Sequence, residues 1–257
     1  MQDFILFAFV GLLARLVDGA LGMAYGVIST TVLLAFGVGP AHASAAIHAA
    51  EMFTTAASGG AHIHRNIDWP LFVRLVPFGV AGGLLGTFVL TSFDGDMVKP
   101  VVTAYLALLG AWLFIRSFRK IPSRPVGAAL IAPLGAAAGF LDAAGGGGWG
   151  PIATTGLLGA GGAPRYVIGT VNASEFLITL AVSVGFLSAL LTGHWEEAGG
   201  ILDHAHAVFG LIVGGLVAAP FAGWMIKTIA ERVLLRIVGV LITSLAAFQT
   251  GQLLGHW

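Results

Sequence analysis

The sequence has no cysteine and very little charge. Lysine plus arginine and aspartate plus glutamate number 12 each, so charged residues make up 9% of 257 and the formal net charge is zero. Without cysteine there are no disulfides and no thiolate metal sites. Without a basic excess there is no electrostatic footprint for nucleic acid. A soluble domain carries about 25% charged residues; this chain cannot build a water-facing surface over its length. What it has is apolar: 57% hydrophobic residues and a mean hydropathy of +0.94. The start, Met1-Gln2-Asp3, lacks the positive region of a signal peptide, so the first apolar segment is expected to stay in the mature chain.

Apolar segments fall at 3–37, 41–61, 70–93, 98–115, 126–161, 165–192, 205–226 and 232–253. Their lengths predict membrane helices rather than the roughly ten-residue alternating strands of a barrel. The first and fifth, about 35 residues each, are too long for one crossing of about 20 residues and short for two. Both are interrupted by glycine, at Asp18-Gly19-Ala20-Leu21-Gly22 and at Asp142-Ala143-Ala144 followed by Gly145–Gly148.

Adding 124 to a first-half position returns a second-half match for Gly11, Asp18, Gly22, Gly26, Thr30, Thr31, Leu33, Leu34, Pro40, Glu51 and Thr55. The chain therefore reads as two repeats, 1–120 and 126–257, forming one transport domain. Positive connections lie at Arg65 to Arg74, Arg116 to Arg124 and Lys227 to Arg236, whereas Ser92 to Lys99 and Gly193 to Asp203 are mainly acidic. The basic connections share one side only if each long segment makes no net crossing. Each is thus expected to dip in and return, as a re-entrant hairpin or as two short helices, with three crossing helices after it. The repeats would then be inverted and both termini periplasmic. Inverted repeats with matched broken helices are the usual build of secondary transporters, with the breaks at the centre.

Polar residues collect near the breaks. His48, Glu51, Thr55 and Ser58 share a helix face, as do Asn172, Glu175 and Thr179. Intramembrane carboxylates are costly and mark functional positions. Glu51 and Glu175 are expected either to cap a broken helix or to carry a coupling proton. Asp18 and Asp142 are expected to cap the half-helices after the breaks. Gly22, Gly26, Gly146, Gly147 and Gly150 would offer backbone N–H groups to an anion. Thr30, Thr31, Thr154 and Thr155 line the site or bond their own helices, and His48 and Asn172 orient the anion. Tyr25 and Trp149, at matched positions, close over a ligand or simply pack. Arg15, whose partner position holds Gly139, binds an anion, pairs with Asp18 or snorkels to the interface. Gly79, Gly82, Gly83 and Gly86, with Gly210, Gly214 and Gly215, look like close helix contacts.

The run Val17-Asp-Gly-Ala-Leu-Gly-Met-Ala-Tyr-Gly-Val27, with His48-Ala-Ala-Glu51 and Thr54-Thr55, resembles the TauE/SafE family of permeases. The Gly145–Gly150 run, Pro164 and Asn172-Ala-Ser-Glu175 resemble that family's second repeat, and the resemblance covers nearly the whole chain. It implies a proton- or ion-driven carrier of small organosulfur anions such as sulfite, sulfoacetate or aryl sulfonates, in the bacterial cytoplasmic membrane. No enzyme activity, cofactor or metal is expected, and a homodimer is one assembly the chain allows. The rival readings are an anion channel of the same build and an intramembrane metal protein using His42, His48, Glu51, His62 and His64.

Overall fold

Proline or glycine stands at the start or end of several helices, among them α3, α5, α6 and α8. The computed structural model describes residues 2–21, 23–62, 67–118, 127–196, 205–221 and 230–255, and every regular element among them is helical. The elements are α1 (Gln2–Leu21), α2 (Tyr25–Ala35), α3 (Pro40–His62), α4 (Trp69–Thr91), α5 (Gly95–Arg116) and α6 (Ala128–Gly145). A π-helical turn, Trp149–Thr154, leads into α7 (Thr155–Gly159). Then follow α8 (Pro164–Leu191), α9 (Ala205–Ala218) with a 3-10 turn to Phe221, and α10 (Glu231–Leu253). Proline opens α3 and α8, where its missing N–H costs nothing. Asp68 caps α4 by accepting from Leu71 N at 3.1 Å, and Asp94 caps α5 by accepting from Asp96 N at 2.8 Å.

Both long segments are broken helices. The first breaks between Leu21 and Tyr25, the second between Gly145 and Trp149. Four helices are long and apolar enough to cross a membrane: α4, α5, Arg165–Leu191 of α8 and Arg232–Leu253 of α10. The other two expected crossings, α3 and α9, fall outside that set among the described residues: α3 is long enough but carries His48, Glu51 and several hydroxyls, and α9 is described over 14 residues. Bulky apolar side chains such as Val101, Leu108 and Leu191 face outward, a surface suited to lipid rather than water.

Contacts fix which helix ends lie together. Ser92 Oγ and His194 Nε2 meet at 2.9 Å, so the ends of α4 and α8, with their acidic connections, share one end of the molecule. Asp68 N donates to Thr170 Oγ1 at 2.9 Å, which brings the starts of α4 and α8 together at the other. Arg236 Nε donates to Ser117 Oγ at 3.3 Å and its guanidinium lies 4.3 Å from the Phe118 ring. The end of α5 and the start of α10, both flanked by basic residues, therefore adjoin. Because α4 runs from the basic to the acidic end, the start of α3 lies at the acidic end. α1 runs parallel to α9, with Phe4 against Gly210 and Ala8 against Gly214, and so begins at the acidic end too. The segment α1–α2 thus starts and finishes at one end. The segment from α6 to α7 starts and finishes at the basic end, since α6 runs parallel to α4.

These parallel pairs depend on backbone contact through glycine. A Cβ on Gly82 would meet the Ala136 carbonyl, one on Gly139 the Gly79 carbonyl, and one on Gly214 the Ala8 carbonyl. Two buried apolar clusters result, and each draws on both halves of the sequence: α1, α2, α5, α9 and α10 in one, α4, α6, α7 and α8 in the other, with α3 contributing to both. Gly82→Ala and Gly214→Ala are expected to destabilise the protein by about 1–3 kcal/mol each through overpacking. Gly127→Ala, where nothing lies within 4 Å of the new Cβ, should leave thermal unfolding in detergent unchanged.

Candidate functional site

A helix broken inside lipid leaves N–H and C=O groups that only the protein can satisfy. At the second break, α6 ends in a Schellman-type turn. Gly146 has φ 66°, a left-handed conformation glycine adopts freely, and Gly147 N reaches back to the Asp142 carbonyl at 3.1 Å. Asp142 Oδ1 accepts from Gly148 N at 2.8 Å and Trp149 N at 2.9 Å, bridging the gap to the next helical turn. Its Oδ2 lies 3.2 Å from His48 Nε2. The exposed carbonyls are taken from other helices: Ala143 by Ser44 Oγ at 2.6 Å, Gly146 by Thr30 Oγ1, and Gly147 by the Tyr105 hydroxyl at 3.2 Å.

The first break is built alike. Asp18 Oδ1 accepts from Ala24 N at 2.9 Å and Tyr25 N at 3.4 Å, positions 124 residues before Gly148 and Trp149. Asp18 Oδ2 is held by Arg15 Nη1 at 2.7 Å, and Arg15 Nη2 donates to the Thr54 carbonyl at 3.0 Å. Arg15 is therefore a buried counterion and does not snorkel. Tyr25 and Trp149 are buried and anchored to helix backbones, through the Tyr25 hydroxyl to Leu211 O at 3.0 Å and Trp149 Nε1 to Val171 O at 3.1 Å. Gln249 ties α2 to α10, its Nε2 donating to Thr31 O at 2.8 Å.

The two breaks touch. A Cβ on Gly26 would lie 2.9 Å from Gly147 Cα and 3.0 Å from Glu51 Oε1. Glu51 is buried beside this contact, within electrostatic reach of Glu175, Asp142 and Asp18. Among the described residues neither the Glu51 nor the Glu175 carboxylate accepts a hydrogen bond, so the caps are the aspartates and the glutamate side chains do not bond the break N–H groups. The break N–H groups of Ala24, Tyr25, Gly148 and Trp149 are spent on those aspartates rather than left for an anion. Gly26 and Val27 remain in the first turn of α2, where N–H groups lack helical partners, and buried Gly150 stands after Trp149.

Thr31, Thr55 and Thr155 donate to carbonyls of their own helices, at Val27, Glu51 and Pro151. Thr154 is buried in the π-helical turn, and Thr179 is buried on α8 with its Oγ1 without a hydrogen-bond partner. Asn172 is exposed, apart from the buried stripe of Val171, Glu175 and Ile178 on the same helix. Gly22, and the side chains of Ser58, His62 and His64, lie outside the described residues. His42 packs on the Trp195 ring at 4.9 Å, away from His48. Among the described residues no three His, Asp or Glu side chains gather as a metal site.

The family profile described as sulfite exporter TauE/SafE matches residues 7–248. The chain belongs to the TauE/SafE family. It is also similar to a Bacillus subtilis (strain 168) protein named "Probable membrane transporter protein YtnM", at 44% identity over 247 residues, covering 93% of this chain and 80% of that one. No solved structure matches the chain.

In this TauE/SafE chain the two halves diverge at the partners of the capping aspartates. Asp18 is paired by Arg15, whose counterpart is Gly139; Asp142 is paired by His48, whose counterpart is Asn172. That divergence was visible in the repeat alignment, but the pairing of residues 48 and 142 was not. Asp18→Ala is expected to cost about 3–5 kcal/mol, because it strands the Arg15 charge and two break N–H groups. Asp18→Asn keeps the accepting oxygen and should cost less. Thermal unfolding of the three proteins in one detergent orders them.

Proposed function

We propose that the protein is a secondary active transporter for a small organosulfur anion, sulfite, sulfoacetate or another sulfonate, with its site where the two helix breaks meet. The observation that carries this reading is the Gly26–Gly147 contact beside the buried Glu51 carboxylate. Broken backbone and unpaired carboxylates in a membrane core are expensive, and transport is what such elements serve. The family description, sulfite exporter, and the relative's name, a membrane transporter, support the class of function.

The halves 1–120 and 126–257 act as inverted repeats on this reading. In its favour are the common offset of 124, the identical bonding of Asp18 and Asp142 across their breaks, and the start of the two broken segments at opposite ends of the molecule. The basic connections would face the cytoplasm and both termini the periplasm of a bacterial inner membrane.

Charge argues for coupling. Asp18, Asp142, Glu51 and Glu175 face only Arg15 and His48 among the described residues at this centre. An anion brought next to four carboxyls is repelled unless protons come with it. With the breaks packed together, Gly147 lies against Gly26 and the Val27 N–H, so an anion enters only when the breaks part. Glu51 and Glu175 are the carriers of the coupling proton.

Two measurements test this. Thermal unfolding against sulfite, sulfate, thiosulfate, sulfoacetate, an aryl sulfonate, acetate and chloride should show stabilisation by one sulfur oxyanion. The gain is about 2.7 kcal/mol at a hundredfold excess over Kd. In proteoliposomes, uptake of that anion should saturate and be driven by a pH gradient. Glu51→Gln and Glu175→Gln should retain counterflow and lose the response to the gradient. Flux that rises linearly without saturation or counterflow would make the protein a channel, and stabilisation by divalent metals alone would sink the anion site.

A further inference from the structure

The surroundings of His48 fix where its protons sit. Nδ1 lies 2.8 Å from the Ser44 carbonyl, which can only accept. It also lies 3.3 Å from Ser44 Oγ, whose own hydrogen is given to the Ala143 carbonyl. Nδ1 therefore carries a hydrogen. A neutral imidazole has one N–H, so with Nδ1 protonated Nε2 presents a lone pair. Facing Nε2 at 3.2 Å is Asp142 Oδ2, and an ionised carboxylate also only accepts. The contact is a hydrogen bond only when one further proton lies between the two atoms; without it, a lone pair faces a negative oxygen.

We infer that the His48–Asp142 contact is a proton-binding site separate from Glu51 and Glu175, and that its proton latches the second helix break to α3. Asp142 cannot turn away to relieve the contact, because its Oδ1 is committed to Gly148 N and Trp149 N. When the proton leaves to water, His48 is neutral, Asp142 is ionised, and this link between α3 and the end of α6 becomes repulsive, leaving the Ser44 Oγ–Ala143 O bond to join them. The first break has no such dependence. Its aspartate is held by Arg15, a guanidinium that does not deprotonate in proteins. Asp142 of α6 and the Phe186 ring of α8 face His48, and Glu51 stands one turn along α3; around that group lie Glu175 of α8, Tyr105 of α5 on the Gly147 carbonyl, and Arg15 and Asp18 of α1, paired with each other. Of these, Asp142 alone touches the ring nitrogen. That the proton is a coupling proton rests on the transporter reading; that it binds here does not.

Two substitutions give opposite signatures. In His48→Gln the side-chain amide donates to Asp142 without needing a proton, so the latch is permanent. In Asp142→Asn the amide oxygen must stay on Gly148 N and Trp149 N, which turns the NH₂ toward His48. That NH₂ bonds the neutral ring and clashes with the protonated one. The thermal unfolding midpoint of the purified chain is measured from about pH 5 to 8. The wild-type midpoint should fall by a few degrees relative to His48→Gln as pH rises. The Asp142→Asn midpoint should fall relative to His48→Gln as pH is lowered. Differences independent of pH, or the same sign in both comparisons, overturn the proton site.

If either variant fails to fold, the otherwise natural chain still decides, because it has no cysteine to interfere. Maleimide labelling of Ala144→Cys, beside the latch, is divided by labelling of Leu254→Cys at the exposed C-terminal end. The ratio should rise several-fold with pH, and a flat ratio refutes the latch. Neither measurement uses a substrate. An anion panel without effect removes the transport reading and leaves the proton site, and a pH-independent latch removes the proton site and leaves transport.

Discussion

Broken backbone in a bilayer has no water to fall back on, and the rest of the molecule is arranged around that constraint. Each break is bridged first from within its own segment, by an aspartate six and seven residues before the two N–H groups it accepts from. Carbonyls of the second break are then claimed by Thr30 of α2, Ser44 of α3 and Tyr105 of α5. Those claims hold only if several helices converge on the same few residues. Convergence in turn needs helix axes close enough for backbone contact, which the glycines of α4, α6 and α9 allow. A side chain at Gly82 or Gly214 would push apart the pairs that bring the breaks together.

Much of this could be read in one dimension. Segment length and the offset of 124 located both breaks, both capping aspartates and the pair of buried glutamates. What failed to show was anything that depends on which helix lies against which. Glu51 and Glu175 sit on α3 and α8, so capping a break would require a fixed tertiary approach. An aspartate in the same segment reaches those N–H groups with less ordering, and it is the aspartates that bond them. Asn172 misleads for a related reason. It stands at the margin of the buried face of α8, which runs through Val171, Ser174, Glu175, Ile178 and Thr179. Its counterpart His48 belongs to α3, which contributes to both apolar clusters and is buried on nearly every face, so the same register that exposes one residue encloses the other.

The Arg15–Asp18 pair, three residues apart, was among the expectations, and the partner of Asp142 was the harder to foresee. His48 and Asp142 are 94 residues apart, and no spacing rule joins them. Their trace in the sequence is indirect: the offset of 124 puts Gly139 opposite Arg15 and Asn172 opposite His48. The two breaks carry the same aspartate cap but different counterions, a guanidinium at one and an imidazole at the other.

That difference has a mechanical meaning. With identical breaks, a given proton concentration would favour or disfavour both equally, and no proton could tell one half from the other. A guanidinium holds Asp18 at every physiological pH, whereas an imidazole holds Asp142 only with a proton between them. On the proton-site inference, α1–α2 is the fixed side of the central contact and the end of α6 with its π-helical turn is the side that can be released. Gly26 and Gly147 would separate by movement of the second break, uncovering the Val27 N–H. On the transport reading the proton at His48 would then decide when the contact opens, and protons on Glu51 and Glu175 would lower the negative charge that the entering anion meets.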